Sequence, residues 1–588
     1  MNAPVPTPVK PDAWARAGRA ALAKMISELS YEEVLAPECA GGGAELRLAS
    51  GVVYRFACTR GIWGNLLIDP ETLSRTPAAG VPTPLQFVPD ARAELGMTPA
   101  TEANFLRELS NTLRQDIETA AKYGALDADA LISLPVHALH AALEGHPKAV
   151  ANKGRIGWGT EDLARFSPEM GAAFRLFWLA ADRRHCKIGA SGGGDERALI
   201  ESSLGAEEAS RLFAARLAAG ASADTHALIP VHPWQWDHVL QQAYVGELAE
   251  RRLIPLGHFG GRYTATPSLR TLTSIDRPGS PDVKLALTIL NTSAWRGIPG
   301  KYIAVGGALS DWLEGITQAD PLLSSRVTVL RELRGIWYEH PVYAQVPDLP
   351  YQFAETLGVI WRDSASGRVA GGRRACLMAT LLHRAPDGTP LAAAHARRAG
   401  MGMEDWLRAL FRVTVVPLYH YLTRYGVGFI AHGQNVTVVL EDDVPVGMAV
   451  KDLQGDLDLI DQDFPELAGL DPEIQATLPR KPATHIIHDI QTAHFVTVLR
   501  FLSARLSACG AMGEETFYRI LGEELQAHMK AHPQLGERFA MFDLFTPTLP
   551  RVCINKVRLA IGYGDDAARP LPALGTDLVN PLYICKAR

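Results

Sequence analysis

Apolar residues recur at a helical period over residues 11–30 and 102–145, and a strand-like patch occupies residues 45–68 between them. A second zone mixes the two patterns. Helix-period segments over 172–182 and 206–219 sit among strand-like runs around Leu228, Leu253, Thr264, Leu285, Ile303 and Val327. The third zone opens with a helical stretch over 404–424. Two apolar runs, 436–440 and 444–450, then flank Glu441, Asp442 and Asp443, the signature of an antiparallel hairpin. From 484 to 532 the period is again helical. These zones predict an α+β chain of three domains, 1–155, 156–385 and 386–588, with a central, mainly antiparallel sheet and a largely helical C-terminal region.

Candidate chemistry concentrates where polar residues interrupt the strand-like runs. Over residues 264–302, Ser268, Arg270 and Thr271 precede Lys284, and Thr292, Ser293 and Arg296 follow. Arg offers a planar fork and Lys a point charge, so this face suits polyphosphate beside a carboxylate. Alone, it reads equally as a polar strand edge with surface ion pairs. Before the hairpin, His432, Gln434 and Asn435 lie in one turn, and Asp452 falls just past the returning strand. Imidazole, amides and carboxylate can serve Mg²⁺, phosphate or a substrate carboxyl, or simply cap a turn. Two His-Pro turns, at His146 and His232, present an imidazole from extended backbone. Lys153 and Arg155 follow the first, whereas Trp234 and Trp236 beside the second equally suit a buried strand entering a helix.

Composition narrows the classes. With 588 residues, 47% hydrophobic and 21% charged, the chain can bury several cores. A net charge of -6 gives no general reason to bind nucleic acid or an anionic membrane. No apolar run reaches the roughly 18 residues of a membrane span, and the opening MNAPVPTPVKPDAW reads as a short disordered lead without a secretory core. Seven scattered cysteines without a CxxC pair predict reduced thiols in the cytoplasm and no structural zinc site. His485, His488, Asp489 and His494 read as a polar helix face. Gly189-Ala190-Ser191-Gly192-Gly193 matches the nucleophile elbow of serine hydrolases, but the basic stretch before it and the loop-like SGGGDER argue against that context.

Taken together the motifs resemble those of NRPS-independent siderophore synthetases of the IucA/IucC type. The resemblance rests on GHP…K-x-R-x-G (His146, Lys153, Arg155, Gly157), PVHPWQ (230–235), S-x-R-T (Ser268, Arg270, Thr271), Lys284, N-T-S-A-x-R (Asn291 to Arg296), HGQN (His432 to Asn435), the basic-Asp pair Lys451-Asp452 and a final NPL at Asn580. Three positions depart from the usual pattern: Ala149 and Val150 replace a second His-Pro, Ile430 stands where many members carry Glu, and Lys451 replaces Arg.

The resemblance implies a cupped hand of thumb, fingers and palm, often dimeric. It also implies ATP-dependent adenylation of a carboxylate, with Mg²⁺, followed by condensation with an amine or alcohol. Ser268, Arg270, Thr271 and Lys284 would line the phosphates, Arg296 would bridge α-phosphate and acid, and Asn435 and Asp452 would serve phosphates and metal. His146, Lys153, Thr292, Ser293, His432 and Gln434 would hold the substrate, with His432 the candidate general base. Lys556, or else Arg551, would add a cation to the acid pocket, and Arg500 would point into the cleft or snorkel. Citrate is the expected acid, with α-ketoglutarate or a citryl amide as alternatives. A non-catalytic citrate- or siderophore-binding protein is a remoter one, motivated by Ile430.

Overall fold

The computed structural model describes residues 9–78, 80–292, 294–369, 371–562 and 573–585. Most of the expected lead lies outside them, as does Ser293.

The N-terminal zone packs helices α1 (Pro11–Tyr31) and α2 (Pro99–Tyr123) against a small antiparallel sheet built on β1 (Gly43–Arg47), β2 (Val53–Arg60) and β3 (Leu66–Ile68). Leu22, Met25, Ile26 and Leu29 of α1 form one buried stripe at helical spacing, packed with Tyr54, Phe56 and Phe105.

In the middle zone, β4 (Phe177–Asp182), β5 (Cys186–Ala190), helix α3 (Ala206–Ala218), β6 (His226–Val231) and β7 (Leu253–His258) follow. The helix expected over 172–182 is in fact a strand from Phe177: β4 is central between β6 and β7, and every one of its residues is buried. Burial on both faces gives a continuous apolar run that periodicity alone does not separate from a helix. Strands β8 (Tyr263–Ala265), β9 (Thr271–Ser274) and β10 (Asp282–Leu285) lead into the hairpin β11 (Leu287–Asn291) and β12 (Ala294–Arg296). Ile303, expected in a strand, begins helix α4 (Ile303–Ala319). After β13 (Val327–Val329) come β14 (Glu332–Tyr338) and β15 (Gly358–Arg362), which complete a six-stranded antiparallel sheet of order β8-β9-β10-β15-β14-β5.

The C-terminal core takes α4 and β16 (Arg374–Leu377) with it: Val305, Leu309, Leu313, Cys376 and Met378 pack with α5 (Met403–Val413), α6 (Val415–Tyr425) and the helices beyond. Elements before residue 385 thus belong to this core. Helices α5 and α6, expected as one, break at Thr414, which has φ -120° and ψ -72°. Pro417 has no N–H to continue the ladder and is tolerated because it sits in the first turn of α6. The expected hairpin is present as β17 (Val436–Glu441) and β18 (Val444–Val450), flanked by β16 and by β13, the latter in parallel. Helices α7 (Arg500–Ala508) and α8 (Glu514–Ala531) precede β19 (Thr548–Cys553), α9 (Asn555–Ile561) and β20 (Ala573–Val579). Asn555 accepts from Val150 N–H and donates to the Lys148 carbonyl, so the chain's end closes on the GHP loop.

Candidate active site

The cross-strand pair Thr271 and Lys284 joins β9 to β10, and Ser268 Oγ accepts from Thr271 N–H at 3.1 Å. Arg270 donates to the Gly297 carbonyl beyond the β11–β12 hairpin. Lys284 Nζ reaches Asp452 Oδ1 at 2.6 Å, and Arg362 Nη1 reaches the same oxygen at 2.9 Å. Asp452 holds a left-handed φ of +61°, a strained conformation for a non-glycine residue that its two cation contacts help fix. Burial pushes its carboxyl up, but Lys284, Arg362 and Lys451 outweigh burial and hold it well below the usual range.

Two further carboxylates stand close by. Asp456 Oδ2 accepts from Asn435 Nδ2 at 3.0 Å, and the same amide donates to the Ile430 carbonyl at 3.1 Å. Burial, with Asp452 adding to it, raises the Asp456 carboxyl. Burial likewise pushes Glu332 up to about 7, and its Oε2 has no hydrogen-bond partner among the described residues. Buried carboxylates whose charge is under-compensated suit a hard cation with oxygen ligands. Asp456 therefore supplies, beside Asn435, the kind of oxygen donor that Ile430 lacks.

On the acid side, Arg296 Nη2 donates to the Asn291 carbonyl at 2.6 Å and to Thr292 Oγ1, while Thr292 holds φ +46°. The GHP loop meets this hairpin through an Ile156–Leu290 bridge and an Arg155 N–H to Asn291 Oδ1 bond. Gly145 is required there: its φ is +92°, and a Cβ would come within 2.7 Å of the Asn152 side chain. Asn152 and Lys24 both donate to the His146 carbonyl. Burial, then the fields of His432, Lys24, Lys148 and Arg296, push His146 down to about 3. Burial also lowers His432, with Asp456 and Asp452 opposing.

The tautomers of these two rings follow from their bonds. His146 Nδ1 accepts from Ala149 N–H at 3.0 Å, and His432 Nδ1 accepts from Gln434 N–H at 3.2 Å. A neutral imidazole has one proton, so both rings carry it on Nε2 and act there as donors. That arrangement suits binding an anionic oxygen and does not suit His432 as a general base, which corrects the sequence-based assignment.

Other expected residues fall elsewhere. Lys153 is buried against Asp116 at 2.8 Å, and Arg155 pairs with Glu169 at 2.6 Å, so both brace the loop. Lys556 is exposed, and its backbone N–H rather than its ammonium is anchored, by Glu32. Arg551 donates to the Tyr31 carbonyl. Arg500 is fully buried against Glu28 at 2.7 Å and stacks over Tyr31, so it does not point into the cleft. Gln434 is partly exposed in its turn. His494 is bonded to the Ala431 carbonyl as part of a buried helix face. Ser191 donates to Asp311 at 2.5 Å with no imidazole among its described partners, which is not a nucleophile–base pair. Sequence reasoning missed Lys24, Glu332, Arg362 and Asp456. Of these only Asp456 carried a signal, four residues after Asp452.

Residues 137–383 match the model of the IucA / IucC family, and residues 404–566 match that of the ferric iron reductase FhuF-like transporters. The aerobactin synthase of Escherichia coli is 41% identical over 573 residues, 97% of this chain and 98% of the relative. The rhizobactin siderophore biosynthesis protein RhbF of Rhizobium meliloti (strain 1021) is 36% identical over 575 residues, 97% of this chain and 96% of the relative. The structure of aerobactin synthetase IucC from a hypervirulent pathotype of Klebsiella pneumoniae superposes with a TM-score of 0.88 at 38% identity, covering 98% of this chain and all of that one. The chain belongs to the IucA/IucC family.

Proposed function

We propose that the protein uses ATP to adenylate a carboxylate of citrate and then passes the acyl group to an amine or alcohol. The supporting observation is the convergence of the predicted groups: Arg296 and His432 both act on His146, and His432 lies in the field of Asp452, which is paired with Lys284 and Arg362.

In the first step a carboxylate oxygen attacks the α-phosphorus and pyrophosphate leaves. Two anions must approach, and negative charge grows on the leaving group, so preorganised donors contribute most. Arg296 and Thr292 would face the α-phosphate and the acid, and Ser268, Arg270, Thr271 and Lys284 the outer phosphates. Lys284 is clamped to Asp452, which fixes its Nζ in place. Asp452, Asp456 and Asn435 would hold Mg²⁺, which neutralises phosphate charge when bound. In the second step the nucleophile attacks the acyl carbon, loses a proton, and AMP leaves.

A citryl amide in place of free citrate is the second reading, and Ala149 and Val150 favour it. Where the family pattern has a second imidazole stands Ala149, half-buried, its N–H bonded to His146 Nδ1. The pocket thus has fewer donors, which fits an acid with one carboxylate already amidated. The seven scattered cysteines, with no CxxC pair, fit a reducing cytoplasm, and the family resemblance supports a homodimer. Magnesium-dependent pyrophosphate release with hydroxylamine as nucleophile tests the reading, comparing citrate, α-ketoglutarate, succinate and a citryl amide. Release with citrate confirms it, release with the citryl amide alone selects the second reading, and binding of either acid without release leaves a binding protein.

A further inference from the structure

Three imidazoles outside the groups that build the cleft converge between α6 and the end of α8. His420 lies on α6, His528 on the last turns of α8, and His532 caps that helix one turn further on. Ring centroids are 5.2 Å apart for His420–His528, 5.2 Å for His420–His532 and 4.4 Å for His528–His532. One ring nitrogen from each lies within 4.8 Å of the others.

The hydrogen bonds fix which nitrogens are free. Asp320 Oδ2 accepts from His420 Nε2 at 2.9 Å and also from Tyr425 OH, while its Oδ1 caps Leu322 and Leu323 N–H. His420 Nε2 is therefore a donor, and its Nδ1, buried, has no partner among the described residues. His528 Nε2 is also buried, without a partner among the described residues. His532 gives its Nδ1 to the His528 carbonyl at 2.9 Å, which leaves Nε2 as the lone pair. Buried polar atoms are nearly always partnered, and each orphan costs roughly 1–3 kcal/mol. Two in one cluster of rings point to a ligand that accepts lone pairs.

We propose that His420, His528 and His532 bind a borderline divalent transition metal such as Zn²⁺, separate from the oxygen-lined cation site of the cleft. Three imidazole nitrogens select Zn²⁺, Ni²⁺ or Cu²⁺ over Mg²⁺. Asp320 orients His420 from behind as carboxylates do behind metal-bound imidazoles. Zinc–nitrogen bonds of about 2.0–2.1 Å place tetrahedral nitrogens about 3.3 Å apart, so from separations within 4.8 Å a contraction of at most about 1.5 Å closes the set. Arg326 and Arg424 are the cations facing the cluster, and Asp320 is the opposing charge. The fourth position falls to water on the partly exposed His532 side, next to a cleft of about 440 Å³ bordered by Met529, Pro533, Gly536 and Phe539. The metal staples α6 to α8.

Full-length, tag-free protein stripped with chelator and titrated with Co²⁺ tests this. One equivalent bound with visible d–d bands, displaced by Zn²⁺, together with a higher melting temperature, is expected. His532→Ala, a partly exposed cap whose loss spares the core, removes the bands, Asp320→Asn weakens binding roughly 10–100-fold, and Asp452→Asn in the cleft leaves them unchanged. Absence of bands at one equivalent, or bands that survive in His532→Ala, overturns the proposal.

Discussion

The two His-Pro turns are built alike and serve different ends. In each, Nδ1 accepts a following backbone N–H: Ala149 at 3.0 Å for His146, and Trp234 at 3.1 Å for His232. Both rings are depressed to about 3, chiefly by burial. Yet His146 shares its surroundings with His432, Lys24, Lys148 and Arg296, whereas His232 is 0% exposed, with its ring centroid 4.8 Å from that of Phe166 and 4.9 Å from that of Phe174. One imidazole sits among cations and a second histidine, and the other is a core residue. The second motif still serves the cleft through Gln235, whose amide donates to Thr288 and the Thr356 carbonyl and accepts from Thr288 N–H, bracing β11. A short motif fixes a local turn, and what the turn faces depends on chain hundreds of residues away.

Substitutions separate the two loops by readout. The largest effect is expected beside the first: Arg296→Ala lowers kcat/KM for pyrophosphate release at least 10²–10³-fold (an order-of-magnitude value) with the melting temperature unchanged, and near-normal turnover would remove Arg296 from the mechanism. His146→Ala raises KM for the acid about 10–100-fold while stability holds, since a donor to a charged group is lost. His232→Ala does the reverse, costing about 2–4 kcal/mol of stability by denaturant unfolding while turnover of the folded enzyme persists. A shared loss of activity without loss of stability would erase the distinction.

Acid adds a finer separation. His232 titrates lower when folded, about 3 against 6.5, so its contribution is complete above 6.5 and shrinks as pH falls toward 3. Against His232→Phe, which keeps an aromatic ring but cannot titrate, the wild type should lose on the order of 2 kcal/mol between pH 6.5 and about pH 5. Parallel unfolding curves at both pH values would show that the ring is not buried neutral. The smallest effect is expected at Lys556→Ala, whose kcat/KM should stay within about twofold of wild type. A tenfold rise in KM for the acid would bring that exposed ammonium back into the pocket.

Much of the architecture was legible locally. Helices α1, α2 and α3 and the β17–β18 hairpin follow from periodicity and turn residues, because such patterns reflect one buried face. Strand β4 was not legible, because burial on both faces erases its period. The division at 385 was not legible either, since α4, β13 and β16 join a core most of whose other members come from residues 392–582, with Tyr31 and Trp63 reaching it from the N-terminal zone. At the site, the cationic and hydroxylic positions were visible as motifs. Glu332 and Arg362 were not, because a lone charged residue within a strand carries no spacing signal.

The sequence by itself determined the family, the residue types available for phosphate and acid, and the turns that hold His146, His232 and His432. Those are local matters of backbone geometry and chemical type. Only the tertiary structure decided that Lys284 and Arg362 share Asp452, that Asp456 supplies a carboxylate beside Asn435, that Lys556 is left in solvent, and that His420 meets His528 and His532. Protonation, charge and donor direction depend on burial and on neighbours brought together by packing, and neither is written in any one stretch of chain.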